Sequence, residues 1–324
     1  MQAVVYRCYG GAEVLNLEAV EKPAVDDDRV LVRVRAAGVN PLDWHYMRGE
    51  PYILRLVDSG LGAPNDIRMG VDFAGTVEAV GKNVKRFKPG DEVFGGATGA
   101  FGEYVSVREN GAIARKPANI SFEQAAVVPV AAVTALEALR DLGEIKAGQK
   151  VLINGASGGV GTFAVQIAKS YGAEVTGVCS TRNLDMVRSI GADHVIDYTQ
   201  EDFSRGSQRY DLIIDNVGNH TLGDIRRALT ADGILVSVGA PSTDPWIGPL
   251  MTPLKILLLS PLVDQKLRSL MAGLRQDDLN VLGKMMEDGL LIPVIDRRYS
   301  LRETPAAIRY VESGRARGKV VVDL

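Results

Sequence analysis

Two short segments of this chain combine residue types and spacings that could do chemistry. The first is Asn154-Gly155-Ala156-Ser157-Gly158-Gly159-Val160-Gly161. It follows the apolar run Lys150–Asn154 and opens a helical pattern from Gly159 to Tyr171, the setting a dinucleotide-binding loop requires. Ala156 stands where the first glycine of the usual G-x-G-x-x-G falls, with Gly155 beside it. Gly158 would let a pyrophosphate approach the backbone, and Gly161 would let helix and strand pack closely. The helix N-terminus then offers N–H groups and a partial positive charge to phosphate. The competing reading is an ordinary strand-to-helix turn, but strand, loop, helix and second strand all agree with the nucleotide.

Which nucleotide is decided at the end of the second strand, Val175–Cys179. A carboxylate there would hold the ribose hydroxyls of NAD. This chain has Ser180-Thr181-Arg182-Asn183, with no carboxylate until Asp185. Two hydroxyls and a guanidinium suit an adenosine 2′-phosphate, which Arg182 can hold bidentately, so the expected cofactor is NADPH. Otherwise Arg182 is a solvated loop residue.

The second segment is Asn40-Pro41-Leu42-Asp43-Trp44-His45-Tyr46. Asn40 can donate an amide hydrogen to an acceptor oxygen or hold a nicotinamide ribose. His45 titrates near neutrality and is either a proton donor or an exposed helix residue. Tyr46 is the next candidate donor, and Asp43 is expected to orient the backbone and its neighbours. Tyr52–Met69 is apolar, carries Gly60, Gly62 and Pro64, and should form a substrate-side rim.

These segments need elements to position them. The first third reads as β-rich: Val30, Val32 and Val34 alternate with Leu31, Arg33 and Arg35. Short strands are expected at Glu92–Phe94 and Gly102–Val107. Near Ser121 the pattern changes, with Ser121 and Gln124 spaced as a capping box before an alanine-rich helix broken by Pro129. Strands at Lys150–Asn154, Val175–Cys179, His194–Ile196, Leu212–Asp215 and Ile234–Val238 then alternate with helical segments. Such alternation calls for a parallel sheet covered by helices, since parallel strands need crossovers. The expected fold is α/β: a β-rich domain over 1–122 and 289–324, and a doubly wound nucleotide domain over 123–288. The apolar stretch Leu254–Val263 reads as a buried strand, or less readily as a lid or peripheral membrane contact.

Composition bounds the rest. The chain has 324 residues, enough for about two domains. Its net charge of −3 points to neither nucleic acid nor an anionic membrane. Two cysteines without C-x-x-C spacing, Cys8 and Cys179, suit a reducing cytoplasm. No signal-peptide pattern is apparent at the N-terminus.

Taken together, the chain resembles the zinc-free quinone oxidoreductases of the medium-chain dehydrogenase/reductase superfamily over essentially its full length. The resemblance rests on Ala37-Gly38-Val39-Asn40-Pro41-Leu42-Asp43, Asp72-Phe73-Ala74-Gly75-Thr76-Val77, Thr134-Ala135-Leu136, the glycine loop, Gly191–Tyr198 and the closing Gly318-Lys319-Val320-Val321. It implies a GroES-like catalytic domain, a Rossmann domain, an active site in the cleft between them and a homodimer. It also implies that Thr134 and Val238-Gly239-Ala240 lie near the nicotinamide, that Tyr198 and Asn216 line the nucleotide groove with Val217 beside them, and that Lys319 joins the nucleotide contacts.

Zinc-dependent relatives carry a cysteine where this chain has Asn40, and Gly-His-Glu where it has Gly70-Val71-Asp72. Their four-cysteine lobe is also missing, so no metal is expected. Without a Lewis acid a simple carbonyl is a poor hydride acceptor, whereas a conjugated one spreads the added charge. The expected activity is therefore hydride transfer from NADPH to a quinone or similar conjugated carbonyl. The alternatives are an enone or enal reductase, or a non-catalytic NADPH-binding regulator.

Overall fold

The computed structural model describes residues 1–53, 55–56, 60–239 and 248–324. Along the chain the strands are β1 Gln2–Val5, β2 Asn16–Ala19, β3 Arg29–Val39, β4 Asp72–Val80, β5 Glu92–Gly96, β6 Tyr104–Arg108, β7 Ile113–Arg115, β8 Lys150–Asn154, β9 Glu174–Cys179, β10 His194–Asp197, β11 Tyr210–Asp215, β12 Leu229–Ser237, β13 Lys266–Ser269, β14 Ile295–Ser300 and β15 Lys319–Asp323. The helices are α1 Pro41–Arg48, α2 Phe122–Ala126, α3 Pro129–Leu136, α4 Gly159–Ser170, α5 Leu184–Ser189, α6 Leu222–Ala228, α7 Gly248–Leu259, α8 Gln276–Glu287 and α9 Thr304–Glu312.

Two compact units result, Met1–Val133 with Leu274–Leu324, and Thr134–Gly273. The sequence alone places the junctions at 122/123 and 288/289. In the structure α2 packs on β3 and β4, and α8 on β7, so both helices lie with the first unit.

In the first unit the described strands form a sheet in the order β14-β15-β3-β4-β5-β7, with β6 also pairing β3, plus the hairpin of β1 and β2. Alternation holds in the middle of β3, where Val32 and Val34 are buried while Arg33 and Arg35 are exposed, although Val30 and Leu31 before them are both buried. Its later half, Ala36–Val39, is buried on both faces. Phe73, Phe101, Ile113 and Val320 belong to the core. Ser121 and Gln124 form the capping box of α2, with Ser121 N donating to Gln124 Oε1 at 3.0 Å and Gln124 N to Ser121 Oγ at 3.2 Å.

In the second unit the sheet order is β10-β9-β8-β11-β12-β13, parallel throughout. The order reverses on either side of β8, as a doubly wound sheet requires. Its core includes Leu152, Ile213, Leu235 and Leu267. The helix after the glycine loop is less amphipathic than its sequence pattern, for Gly161–Ala168 are all buried. The stretch from Leu254 is helical and not a buried strand: it lies in α7, with Leu254, Leu257 and Leu258 at 48%, 70% and 65% exposure. Leu, Met and Lys favour helix over strand, and here that propensity outweighs the apolar run, which Lys255 and Pro261 interrupt. No described helix is long and apolar enough to cross a membrane.

Candidate functional site

The first unit gathers its polar residues by strand register. Val39 on β3 pairs with Val320 on β15, and Gly38 pairs with Asp72 on β4. One residue beyond the first pair stand Asn40 and Lys319, so three strands converge there. Asn40 leaves β3 in extended conformation and caps α1, with Pro41 as its first residue. Asp43, three residues on, accepts the Asn40 backbone N–H at 2.7 Å. A carboxyl in the first turn of a helix is where the helix dipole favours negative charge.

Asn40 is the hub of this arrangement. Its Nδ2 donates to Asp72 Oδ2 at 2.9 Å, and its Oδ1 accepts from the Lys319 ammonium, which also donates to the Val39 carbonyl at 3.0 Å. Asp72 further accepts the Val130 N–H at 3.1 Å. Asn40, Asp43, Asp72 and Lys319 are all buried. Burial pushes Asp43 up to about 7, with the Asn40 N–H pulling it back, Asp72 adding to the rise and Lys319 opposing it. Burial pushes Asp72 up to about 6, against the Lys319 ammonium and the Asn40 amide. The Lys319 ammonium is itself pulled down by burial, with Asp72 and Asp43 opposing.

A pocket of about 500 Å³ opens beside this cluster, lined by Tyr6, Leu42, Asp43, Tyr46, Asn65, Asp66, Arg68, Met69, Gly70, Val71, Gly96, Ala97 and Thr98. Tyr46 lies three residues after Asp43 and four after Leu42 on α1, so its side chain neighbours both at the pocket. His45 is not among the lining residues: its Nδ1 donates to the Glu50 carbonyl at 2.7 Å and its ring stacks on Trp44 at 3.7 Å. Burial lowers its pKa, with the Glu50 carbonyl opposing. Of the expected rim, Asn65, Asp66, Arg68 and Met69 line the pocket, while residues 54 and 57–59 lie outside the described residues. Asp66 and Arg68 are ion-paired at 2.6 Å.

In the second unit the glycine loop is shaped as its sequence implies. A Cβ on Gly161 would lie 2.1 Å from the Gly155 carbonyl oxygen, so only glycine allows this approach of helix to strand. A Cβ on Gly158 would meet only that oxygen, at 3.5 Å. Ala156 is buried and its N–H bonds the Val178 carbonyl, which ties the loop to β9. Ser157, Gly159 and Val160 are partly exposed at the start of α4, and Gly158, its N-cap, makes no side-chain hydrogen bond there.

Ser180, Thr181 and Arg182 follow β9 as expected, but the Thr181 hydroxyl donates to Asp197 Oδ2 at 2.5 Å. Asp197 ends β10, level with Cys179. A carboxylate thus stands beside the second-strand terminus although none occurs there in sequence. Asn183, which the sequence reading passed over as a contact, is buried and bridges Ser157 Oγ at 3.0 Å and Ser180 Oγ at 3.2 Å. Its one visible signal was its place after Ser180-Thr181-Arg182.

At the ends of β8, β11 and β12, Asn216 Nδ2 donates to the Asn154 carbonyl at 3.0 Å, and Val238 N and Gly239 N both donate to the Asp215 carbonyl. Val217 and Tyr198 are exposed, at 40% and 60%, and Thr134 is buried in α3. Ala240 lies outside the described residues. Lys319, expected among the nucleotide contacts, instead has its ammonium inside the first unit.

The second-unit loop fits a dinucleotide. The start of α4 has no side-chain cap, open space faces Gly158, and the buried oxygens Asn183 Oδ1 and Asn216 Oδ1 have no hydrogen-bond partner among the described residues. The cluster in the first unit does not fit zinc. No group of three or more His, Cys, Asp or Glu among the described residues could hold a metal, and the Lys319 ammonium already sits against Asn40.

Comparison with known proteins agrees with both units. Residues 26–118 match the alcohol dehydrogenase GroES-like domain, and 190–322 match the family described as zinc-binding dehydrogenase. The 2-methylene-furan-3-one reductase of Solanum lycopersicum is 34% identical over 99% of this chain and 79% of its own length. The NADPH-dependent alkenal/one oxidoreductase, chloroplastic, of Arabidopsis thaliana is also 34% identical, over 99% of this chain and 79% of its own length. The quinone oxidoreductase structure from Coxiella burnetii superposes with a TM-score of 0.87 at 31% identity, covering 100% of this chain and 99% of that one. This chain belongs to the medium-chain dehydrogenase/reductase superfamily, in its quinone oxidoreductase-type branch.

Proposed function

We propose that this chain is an NADPH-dependent reductase that delivers hydride to a conjugated carbonyl acceptor, a quinone or an enone, without zinc. The observation that carries the reading is the first-unit pocket, where Asp43 and Tyr46 share a wall with Leu42, Met69 and Val71 and with the Asp66–Arg68 ion pair. Such a pocket offers hydrogen bonds and a proton, which suffice for an acceptor that spreads charge over a conjugated system. NADPH supplies the hydride when bound. The glycine loop with Asn183 and Asn216 would hold it, and Ser180 and Arg182 would meet its 2′-phosphate.

The tomato and Arabidopsis relatives are named for enone-type acceptors, and the Coxiella structure for quinones. An acid in the pocket favours the enone, because a reduced quinone can take protons from solvent. A homodimer is the proposed assembly, supported by β13, which ends the described sheet and pairs only with β12. A reducing compartment such as the cytoplasm suits the free cysteines Cys8 and Cys179.

One panel decides the matter: NADPH consumption with quinones, enones and enals, followed by product analysis. A saturated carbonyl identifies the enone reductase, and a hydroquinone or semiquinone the quinone reductase. NADPH binding seen by fluorescence, with no acceptor consuming it, would make the chain a nucleotide-binding regulator instead.

A further inference from the structure

The buried cluster of the first unit contains two carboxyl groups and one ammonium. Asp43, Asp72 and Lys319 are 1%, 0% and 3% exposed, and all three bond to Asn40. Their surroundings are unequal. Asp72 accepts two donors, the Asn40 amide at 2.9 Å and the Val130 N–H at 3.1 Å. Asp43 accepts one, the Asn40 N–H on Oδ2. Its Oδ1 is buried with no hydrogen-bond partner among the described residues. One ammonium balances one carboxylate, and a second buried carboxylate with a bare oxygen would be strongly disfavoured. Asp43 also lines the pocket, whereas Asp72 does not.

We propose that Asp43 is a neutral acid carrying its proton on Oδ1, that it hands this proton to the acceptor in the pocket, and that Asp72, linked through Asn40 to the Lys319 ammonium, carries the negative charge that keeps the proton on Asp43. This rests on reading the chain as a reductase of conjugated carbonyls. In the step the Asp43 O–H bond breaks and the proton bonds to the acceptor, at the α-carbon or the enolate oxygen. The two electrons arrive with the hydride from NADPH, which leaves as NADP⁺. Asp43 is left as a carboxylate and regains its proton from solvent. Asp43 is then a catalytic residue, while Asp72 and Lys319 are positioning residues. The charged and titratable groups around Asp43 are Asp72 from β4, Lys319 from β15, and, on the pocket wall, the ion-paired Asp66 and Arg68 with the phenols of Tyr6 and Tyr46. The net direction agrees with the geometry, for burial and Asp72 outweigh Lys319 and lift Asp43 to about 7.

Infrared spectroscopy of the nucleotide-free protein tests where the proton is. A protonated-carboxyl C=O band should be present just below neutral pH, fade as the solution turns alkaline, vanish in Asp43→Asn and persist in Asp72→Asn. A band that survives in Asp43→Asn, or no band in the unmodified protein, would overturn the assignment. Turnover tests the transfer. Asp43→Asn removes the acidic proton and keeps the shape, and should slow enone reduction roughly 10²–10⁴-fold while abolishing the alkaline fall of the rate. Unchanged enone turnover in that variant would reduce Asp43 to a structural role. Lys319→Met should move the alkaline limb to higher pH, and Lys319→Arg should restore it; an unmoved limb in a folded Lys319→Met protein would sink the electrostatic role of Lys319. If the unmodified protein reduces neither enone nor quinone, the reductase reading fails, and the infrared arm still decides the proton's place.

Discussion

Thr181 Oγ1 donates to Asp197 Oδ2 at 2.5 Å, joining the turn after β9 to the end of β10. Thr199 completes the group, with its hydroxyl 3.1 Å from that of Thr181 and 2.8 Å from Asp197 Oδ1. The hydroxyl expected to meet a 2′-phosphate is thus committed to a carboxylate, which these hydrogen bonds hold below its ordinary pKa. Arg182 attracts a 2′-phosphate while Asp197 repels it. NADPH should bind more tightly than NADH in the unmodified protein. Arg182→Ala should narrow the gap by about 1–3 kcal/mol, and Asp197→Asn should widen it. Dissociation constants for both nucleotides in the three proteins check this; equal constants in the unmodified protein would contradict the assignment.

The loop geometry makes Gly158 a clean probe of the phosphate site. A Cβ there would meet no protein atom closer than 3.5 Å, so the fold should tolerate a side chain. Gly158→Val should leave circular dichroism unchanged and weaken NADPH binding sharply, because the branched side chain fills the space a pyrophosphate needs. Unaltered NADPH affinity would mean that the phosphates lie elsewhere.

Metal content follows from the same cluster that holds Asn40. Elemental analysis should find no stoichiometric zinc, and chelators should leave turnover unaffected. Tightly bound zinc whose removal stops the reaction would require Lys319 to give up its place against Asn40.

His45 should be dispensable for proton transfer, since its Nδ1 is committed to the Glu50 carbonyl and its ring to Trp44. His45→Ala should change enone and quinone rates by less than roughly tenfold, far below a general-acid effect. Asn40→Ala should lower both activities and destabilise the fold, because it strips the side-chain amide from Asp72 and Lys319 at once. Steady-state kinetics beside thermal unfolding separates the two variants.

The raised Asp43 also predicts how stability depends on pH. Its folded value of about 7 lies above the ordinary 3.8, so the folded state binds more protons between those limits. The stabilisation is complete below the lower value and is lost as pH rises through the upper one, with a slope of at most about 1.4 kcal/mol per pH unit from this group. Denaturant titrations across that window should show a shallower decline for Asp43→Asn than for the unmodified protein. An identical slope in both would place the titrating group elsewhere.

Much of this protein could be read from its chain because the deciding information is local. A strand, the loop Gly155–Gly161 and a helix are contiguous, and glycine placement there depends on backbone approach within eight residues. Ser121 and Gln124 form their cap within one turn. The tertiary structure decided what depends on neighbours remote in sequence. Asn40, Asp72 and Lys319 meet because β3 is paired on one side by β4 and on the other by β15. Asp197 reaches Thr181 because β10 lies beside β9, sixteen residues later in the chain. A single-residue view of His45 or Lys319 records an ordinary imidazole and an ordinary ammonium. Burial and partners contributed by distant strands turn the lysine inward and leave the proton chemistry of α1 to Asp43, and no sequence spacing encodes that exchange.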